Sequence, residues 1–290
     1  MVTQPNDILL QPTSPMWRAV ERRGQRSPTI HVPLDGSMEA TRAMPVALEI
    51  AHLTGATIHV VHAARSPIPA EDLPAHLHLE PEQVLGISVD QRSGKPVDAI
   101  LQASAEHNGL VIVMTTRGAS QPSDSLGHVA AGVAREAPCP VVMVRPEARP
   151  HVPFRRILLP LDGSPSAAAA VSPAVDLAYR ARADLEVLHV APRKGTAPVP
   201  TEAGSMPAPL YMDQPQHEWP AWASEFLARF YNALGQSPYT VTTRLFLSHG
   251  QPGSEILERA EDRDIDLIVL ERRGPVDRKH NALVSAVLRR

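Results

Sequence analysis

The stretch ILLPLDGSPSAAAA, beginning at Ile157, has an earlier echo, IHVPLDGSMEA, beginning at Ile30. The echo is part of a longer correspondence. Asp35 stands 27 positions before His62, and Asp162 stands 27 positions before His189. Farther on, GKPVDAILQASAEHNGLVIVMTTRG (Gly94 to Gly118) matches GQPGSEILERAEDRDIDLIVLERRG (Gly250 to Gly274), each over a span of 24 positions. Between these blocks the second half carries 29 more residues than the first. Two ungapped blocks in register, with one insertion between them, mean that a single domain has been duplicated. No other feature constrains the fold as much. The 290 residues then divide into two domains of ordinary size.

Each copy alternates short apolar runs with helix-forming segments. In copy 1 the pattern predicts strands at 29–34, 57–62, 86–91, 110–114 and 140–145, with helices over about 38–53, 97–107 and 125–136. The runs IHVPL, TIHVV, LVIVM and PVVMV are nearly all apolar, as strands covered on both faces must be. Helical spacers between such strands give βαβ units and a parallel sheet. Ligands of open α/β sheets sit beyond the carboxyl ends of the strands. Asp35, Asp162, Gly118 and Gly274 fall at such ends. Copy 2 runs to ALVSAVLRR with no counterpart of the PVVMV run, so its sheet is expected to lack the last strand and to leave an edge exposed or otherwise covered.

The predicted organisation is an N-terminal extension (1–27), domain 1 (28–147), a linker (148–156) and domain 2 (157–290). The extension is polar and dotted with proline, and reads as poorly ordered apart from a short helical piece near Trp17–Arg23. The insertion of copy 2 begins as a proline-rich loop at 191–216. It continues into EWPAWASEFLARFYNALG, where Trp219, Trp222, Phe226 and Phe230 recur at helical spacing and predict an amphipathic helix covering the sheet.

Composition excludes several functions. A net charge of −3 and a pI near 6.5 give no electrostatic case for nucleic acid or for an anionic membrane surface. No apolar run approaches the roughly 20 residues that span a bilayer. The first residues lack a basic segment followed by a long apolar one, so a cytoplasmic location is expected. The single cysteine, Cys139, cannot form an internal disulfide and reads as a small buried residue at a strand start. No His/Cys/Asp/Glu cluster has metal-ligand spacing, and His62 and His189 read as packing or hydrogen-bonded residues. No paired carboxylates and no nucleophile–base pair are signalled, so no catalytic residue is assigned and at most a slow ATPase is expected.

Taken together, VPLDGS and LPLDGS, VVHAA and VLHVAP, GKPVDAIL and GQPGSEIL, VIVMTTRG and LIVLERRG, and LGHVAAGVAREAPCPVVMVRP make the chain resemble a tandem universal stress protein over roughly residues 28–290. The resemblance implies two copies of an open, Rossmann-like, five-stranded parallel sheet flanked by helices. This is similar to the fold of adenine nucleotide alpha hydrolases, here with the second copy short of its last strand. It implies a stress-response role. Many members of the family bind ATP, with magnesium accompanying it, and others bind no nucleotide. Some members pair through their last strands, so a homodimer is admitted.

The resemblance places the nucleotide site on Pro33, Asp35, Gly36, Ala63, Thr115, Gly118, Gly127 and His128 in copy 1. In copy 2 it places it on Asp162, Val190, Gly274 and Ser285. The family motif reads Gly, two residues, Gly, nine residues, Gly, then Ser or Thr. Its glycines admit phosphate oxygens to backbone N–H groups at a helix N-terminus. Both copies depart from it. Copy 1 reads Thr115, Gly118, Gly127, His128, with one residue fewer before Gly127. Copy 2 reads Glu271, Gly274, Val284, Ser285, so a β-branched side chain stands where the third glycine belongs. Copy 1 is therefore the better candidate for an adenine nucleotide. The alternative is an interaction module in which both pockets are degenerate and each Asp-Gly-Ser turn only caps the following helix.

Overall fold

Most strands fall on the short apolar runs between turns and helices, and the elements follow the duplicated pattern. The computed structural model describes residues 7–10, 27–64, 66–80, 85–118, 126–147, 151–162, 167–191, 241–271, 283 and 287. The chain divides into two units, one built on 15–152 and the other on 153–287 together with an N-terminal strand, β1 (Asp7–Leu10).

The first unit contains β2 (Thr29–Pro33), α1 (Ala43–Thr54), β3 (Thr57–Ala63), α2 (Leu73–His76), β4 (Ile87–Arg92), α3 (Pro96–Glu106), β5 (Gly109–Thr115), α4 (His128–Glu136) and β6 (Val141–Val144). The strand order is β4-β3-β2-β5-β6, and every pair is parallel. The chain winds from β2 to β3 to β4 in one direction, then crosses to β5 and β6 on the other side. Right-handed crossovers put α1 and α2 on one face and α3 and α4 on the opposite face. The reversal lies between β2 and β5, which is where such sheets hold ligands.

Alternation along the strands supplies both faces. Val61, Ile112 and Met114 pack with Ile100 and Ala103 of α3 and with Ala130 and Val133 of α4. Ile30, Val32, Val60, Val111 and Val113 carry the other face, and all are fully buried. Each such aliphatic side chain stabilises the fold by about 1.5–3 kcal/mol when fully buried. The helix ends follow local chemistry. Pro96 opens α3 with its fixed φ, Asp98 lies in the first turn, and α1 stops at Gly55 in the left-handed region. The first helical segment, expected from about 38, starts as a 3-10 turn at Ala40–Arg42 and becomes α-helical at Ala43. The Asp-Gly-Ser turn holds the preceding residues in its own hydrogen bonds.

The second unit repeats the plan with β7 (Arg156–Pro160), α5 (Val171–Ala181), β8 (Asp184–Ala191), β9 (Val241–His249), α6 (Pro252–Asp262) and β10 (Leu267–Ile268). Its order is β1-β9-β8-β7-β10. Four parallel strands come from the second copy itself, and among the described residues no strand lies outside β10. The second copy thus has fewer strands of its own than the first, as expected. The opposite edge is covered by β1, which pairs antiparallel with β9 from Asp7↔Arg244 to Leu10↔Val241. This corrects the reading of the extension as poorly ordered at that point: a four-residue run, DILL, is long enough to add to a sheet edge, although its proline-dotted flanks concealed it.

The linker also holds a core residue, since Phe154 is 2% exposed. Just after it, the backbone N–H groups of Arg155 and Arg156 donate to the Asp266 carboxylate at 2.7 and 2.9 Å, fixing the start of β7 beside β10. The expected helical piece near Trp17–Arg23, the 191–216 loop beyond Ala191 and the amphipathic helix around Trp219–Phe230 lie outside the described residues.

Candidate functional site at the strand ends

The site of copy 1 is assembled where β2 and β5 diverge. Leu34, the residue after β2, donates its N–H to Val61 O at 3.0 Å, and its carbonyl accepts from His62 Nδ1 at 2.8 Å. A carbonyl can only accept, so this bond sets the tautomer of the buried His62. The chain end of β2 is thereby clamped to β3, and the next residue, Asp35, is thrown out beyond the sheet. Its Oδ1 accepts from the N–H of Ser37 at 2.9 Å and from Ser37 Oγ at 2.6 Å. Ser37 Oγ in turn accepts from Ala40 N–H at 3.3 Å. The Asp-Gly-Ser turn is therefore closed on itself and also serves the helix start.

Two glycines touch this turn for steric reasons. Gly36 has φ +88°, and a Cβ there would lie 2.7 Å from His76 Nε2. Gly118 follows β5, and a Cβ on it would collide with the Asp35 carboxylate. Asp35 and Gly118 are thus in direct apposition across the switch point. Gly127, at the N-cap of α4, donates its N–H to Thr116 O at 2.8 Å, and Thr116 donates to Val144 O at 2.9 Å. Gly127, having no side chain, offers no side-chain cap to α4. The first N–H groups of a helix have no partner within it, so they and the positive end of the helix dipole remain available.

All eight residues assigned in copy 1 lie at the carboxyl ends of β2, β3 and β5 or at the start of α4: Pro33, Asp35, Gly36, Ala63, Thr115, Gly118, Gly127 and His128. Thr115 is buried, whereas Asp35 and His128 are exposed. Sequence reading missed His76 and His78. Both come from the β3–β4 connection, which has no repeated register to align. His78 Nε2 donates to Gly36 O at 3.1 Å, and the His76 ring meets His62 edge-on at 5.2 Å. Arg117 forms an ion pair with Glu147.

Copy 2 keeps the same frame. Leu161 donates its N–H to Leu188 O at 2.9 Å, and His189 Nδ1 donates to Leu161 O at 2.9 Å. Asp162 is exposed at the end of β7, and Val190 lies near the end of β8. Gly274, Val284 and Ser285 lie outside the described residues. A cavity of about 230 Å³ opens between β9 and α6, lined by Leu188, Phe246, Ser248, Glu255, Glu258 and Arg259 among others. Its lining includes no residue of the Asp-Gly-Ser turn, and its carboxylates make it a poor home for a polyanion. Among the described residues no group of three His, Cys, Asp or Glu side chains is arranged to hold a metal ion, and no helix is long and apolar enough to cross a membrane.

Comparison with known proteins is consistent with this architecture. The family model described as the universal stress protein family matches residues 27–145 and again 153–288. A universal stress protein of Thermus aquaticus is 36% identical over 135 residues, covering 40% of this chain and 98% of that protein. One from Mycobacterium tuberculosis is 28% identical over 171 residues, covering 57% of this chain and 52%, about half, of its own length. Among solved structures, a putative universal stress protein from Pseudomonas aeruginosa superposes with a TM-score of 0.63 at 21% identity, covering 91% of this chain and 90% of that one. At that identity the likeness is one of fold.

Proposed function

This chain belongs to the universal stress protein family, and on that premise we propose that copy 1 binds an adenine nucleotide such as ATP, with copy 2 retaining the fold and not the site. The observation that carries the reading is the apposition of the Asp35 carboxylate and Gly118, at the one place where the strand order reverses. A glycine is required there because any Cβ would strike the carboxylate. Beside it, Gly127 opens α4 without a side-chain cap, so that the N–H groups of its first turn would receive phosphate oxygens. Asp35 offers an acceptor on the adenine side. His128 would stand at the phosphate end in place of the family's hydroxyl. The residues present fit a phosphate at Gly118 and Gly127. Magnesium would accompany ATP as the bound complex, and no residue is assigned to hold it otherwise. The reading is one of binding, not of turnover.

One observation favours the second reading, an interaction module with degenerate pockets. The Asp-Gly-Ser turn already satisfies its own hydrogen bonds, through Ser37 to Asp35 and Ala40 to Ser37. The deciding experiment is nucleotide content of freshly purified protein followed by ATP titration in a calorimeter. Adenine nucleotide near one per chain, lost in Gly127→Val, supports the first reading. An empty protein that ignores millimolar ATP supports the second.

A further inference from the structure

Three histidines meet beneath the C-terminal end of α3, on the side of the sheet away from α1. His31 of β2 and His59 of β3 are register partners with ring centroids 5.3 Å apart. His107, which follows α3, stacks on His59 at 4.5 Å and 28° and lies 6.1 Å from His31. His31 is 0% exposed, and neither of its ring nitrogens has a hydrogen-bond partner. His59 shares a 2.8 Å hydrogen bond between Nδ1 and Ser88 Oγ, while its Nε2 makes none and stands 3.7 Å from the Asp90 carboxylate. His107 Nδ1 donates to Ala103 O at 3.1 Å. His59 and His107 stack, and His31 lies tilted to both.

The charged groups around them are few. From β4 come Asp90 and Arg92, and from α3 comes Glu106. Arg92 is committed to both carboxylates, at 2.7 Å each, and adds positive charge beside the rings. β5 carries no titratable side chain, and on α4 Arg135 pairs with Glu136 at the surface while His128 is exposed. Neutral imidazoles are accommodated here. Imidazoliums would set like charges about 5–6 Å apart in a buried site, with desolvation and repulsion acting together. Burial first, then His59, His107 and Arg92, push His31 down to about 4. Burial and His107 also lower His59, with Asp90 partly opposing.

The duplication provides an internal control. At the corresponding places the second unit has Leu158 paired in register with Glu186, and Arg263 following α6. Glu186, 0% exposed, accepts from Arg259 Nε at 3.0 Å and Arg263 Nε at 3.2 Å. One copy thus holds its helix to the sheet through a carboxylate between two guanidinium groups, and the other through three clustered imidazoles.

We propose that His31, His59 and His107 form an acid-operated release in copy 1, in which proton uptake by the buried His31–His59 pair beneath His107 frees the α3–β5 junction from the sheet. β5 is the strand that ends at Thr115 and leads to Gly118, so release would loosen the candidate site from its far end. The inference stands whether or not that site takes a nucleotide. The sign follows from linkage. A histidine with a lowered folded-state pKa favours the closed form above its ordinary value of 6.5, and loses that preference as pH falls from there toward about 4. For His31 alone, the opening constant rises about 30-fold between pH 7.5 and pH 5.

The test is hydrogen–deuterium exchange of the full chain at pH 7.5 and 5.0, with intrinsic rates corrected. The proposal expects segment 96–112 to open roughly 30-fold more at pH 5 while segment 252–266 does not follow, and expects His31→Leu to remove most of the difference. An equal response in His31→Leu, or none in the wild type, overturns it. Should that variant fail to fold, imidazole nitrogen resonances of the wild type decide. His31 remaining neutral until 96–112 opens supports the release, and His31 titrating near 6.5 without opening refutes it.

Discussion

Gly118→Ala is the sharpest perturbation of the switch point. Gly118 is absent from the described glycines with positive φ, which are Gly36, Gly55, Gly86 and Gly94, so alanine incurs no left-handed backbone strain there. Its cost is steric. The new Cβ would overlap the Asp35 carboxylate, and Asp35 is not free to swing aside, because its Oδ1 holds two hydrogen bonds from Ser37. Turning Asp35 away loses those bonds, each worth about 0.5–1.5 kcal/mol and toward the lower end at this exposed position. Keeping them forces a shift of the β5 loop, at a cost of about 1–3 kcal/mol for an overpacked contact. The cheaper route sets the expectation at about 1–2 kcal/mol. The measurement is a double-mutant cycle: Gly118→Ala in wild-type and Asp35→Ala backgrounds, with stability of the first unit read by native-state hydrogen exchange in 29–63 and 109–145. In the Asp35→Ala background the alanine should cost less than about 0.5 kcal/mol, as for independent sites. An equal cost in both backgrounds would show that the carboxylate is not what excludes a side chain at 118.

Gly36→Ala combines two penalties, since φ is +88° and the new Cβ approaches His76 Nε2 at 2.7 Å. It should destabilise by about 2–3 kcal/mol, with His76→Ala relieving the contact and leaving about 1 kcal/mol of backbone strain; complete rescue would refute the conformational part. In the second unit, Glu186→Gln keeps the shape and removes the charge between Arg259 and Arg263. Both arginines reach partial solvent, so the loss should fall below the 3–5 kcal/mol of a wholly buried pair, at about 2 kcal/mol in a urea midpoint comparison. A loss under 0.5 kcal/mol, the scale of an exposed pair, would mean that the triad contributes nothing specific.

Much of the fold was legible because duplication printed it twice. The strands expected from apolar runs at 29–34, 57–62 and 110–114 lie within one residue of those found, at 29–33, 57–63 and 109–115. The bond from His62 to Leu34 O was half legible: the 27-residue interval marked His62 and His189 as corresponding, and hydrogen bonding was one of their two readings, but the interval does not name the acceptor. His76 and His78 were not legible, because the β3–β4 connection differs in length between the copies and offers no alignment. β1 was not legible either, since pairing at an edge depends on which edge is open, and a four-residue run does not say that. The contact of Asp35 with Gly118 joins residues 83 positions apart and depends on the order of β2 and β5 within the sheet, which periodicity alone leaves undetermined.

The two copies have diverged unevenly, and the unevenness separates frame from content. Strand-end geometry is the same in both: a histidine on the second strand of each copy bonds the carbonyl just before the aspartate, at 2.8 Å in one and 2.9 Å in the other. That clamp needs only one side chain and one carbonyl, so it survives changes elsewhere. The buried polar cluster beneath the third helix depends on several side chains at once. Replacing one histidine of His31, His59 and His107 by glutamate would bury a carboxylate whose nearby guanidinium, Arg92, is already held by Asp90 and Glu106, and adding arginine first would bury a cation among bases. Partial exchanges of either kind leave an unpaired charge in a site closed to water, which is the costly state. Copy 1 and copy 2 therefore occupy two self-consistent solutions, each stable only as a set, and a chimera that transfers Glu186 without Arg259 and Arg263 should lose more stability than one that transfers all three.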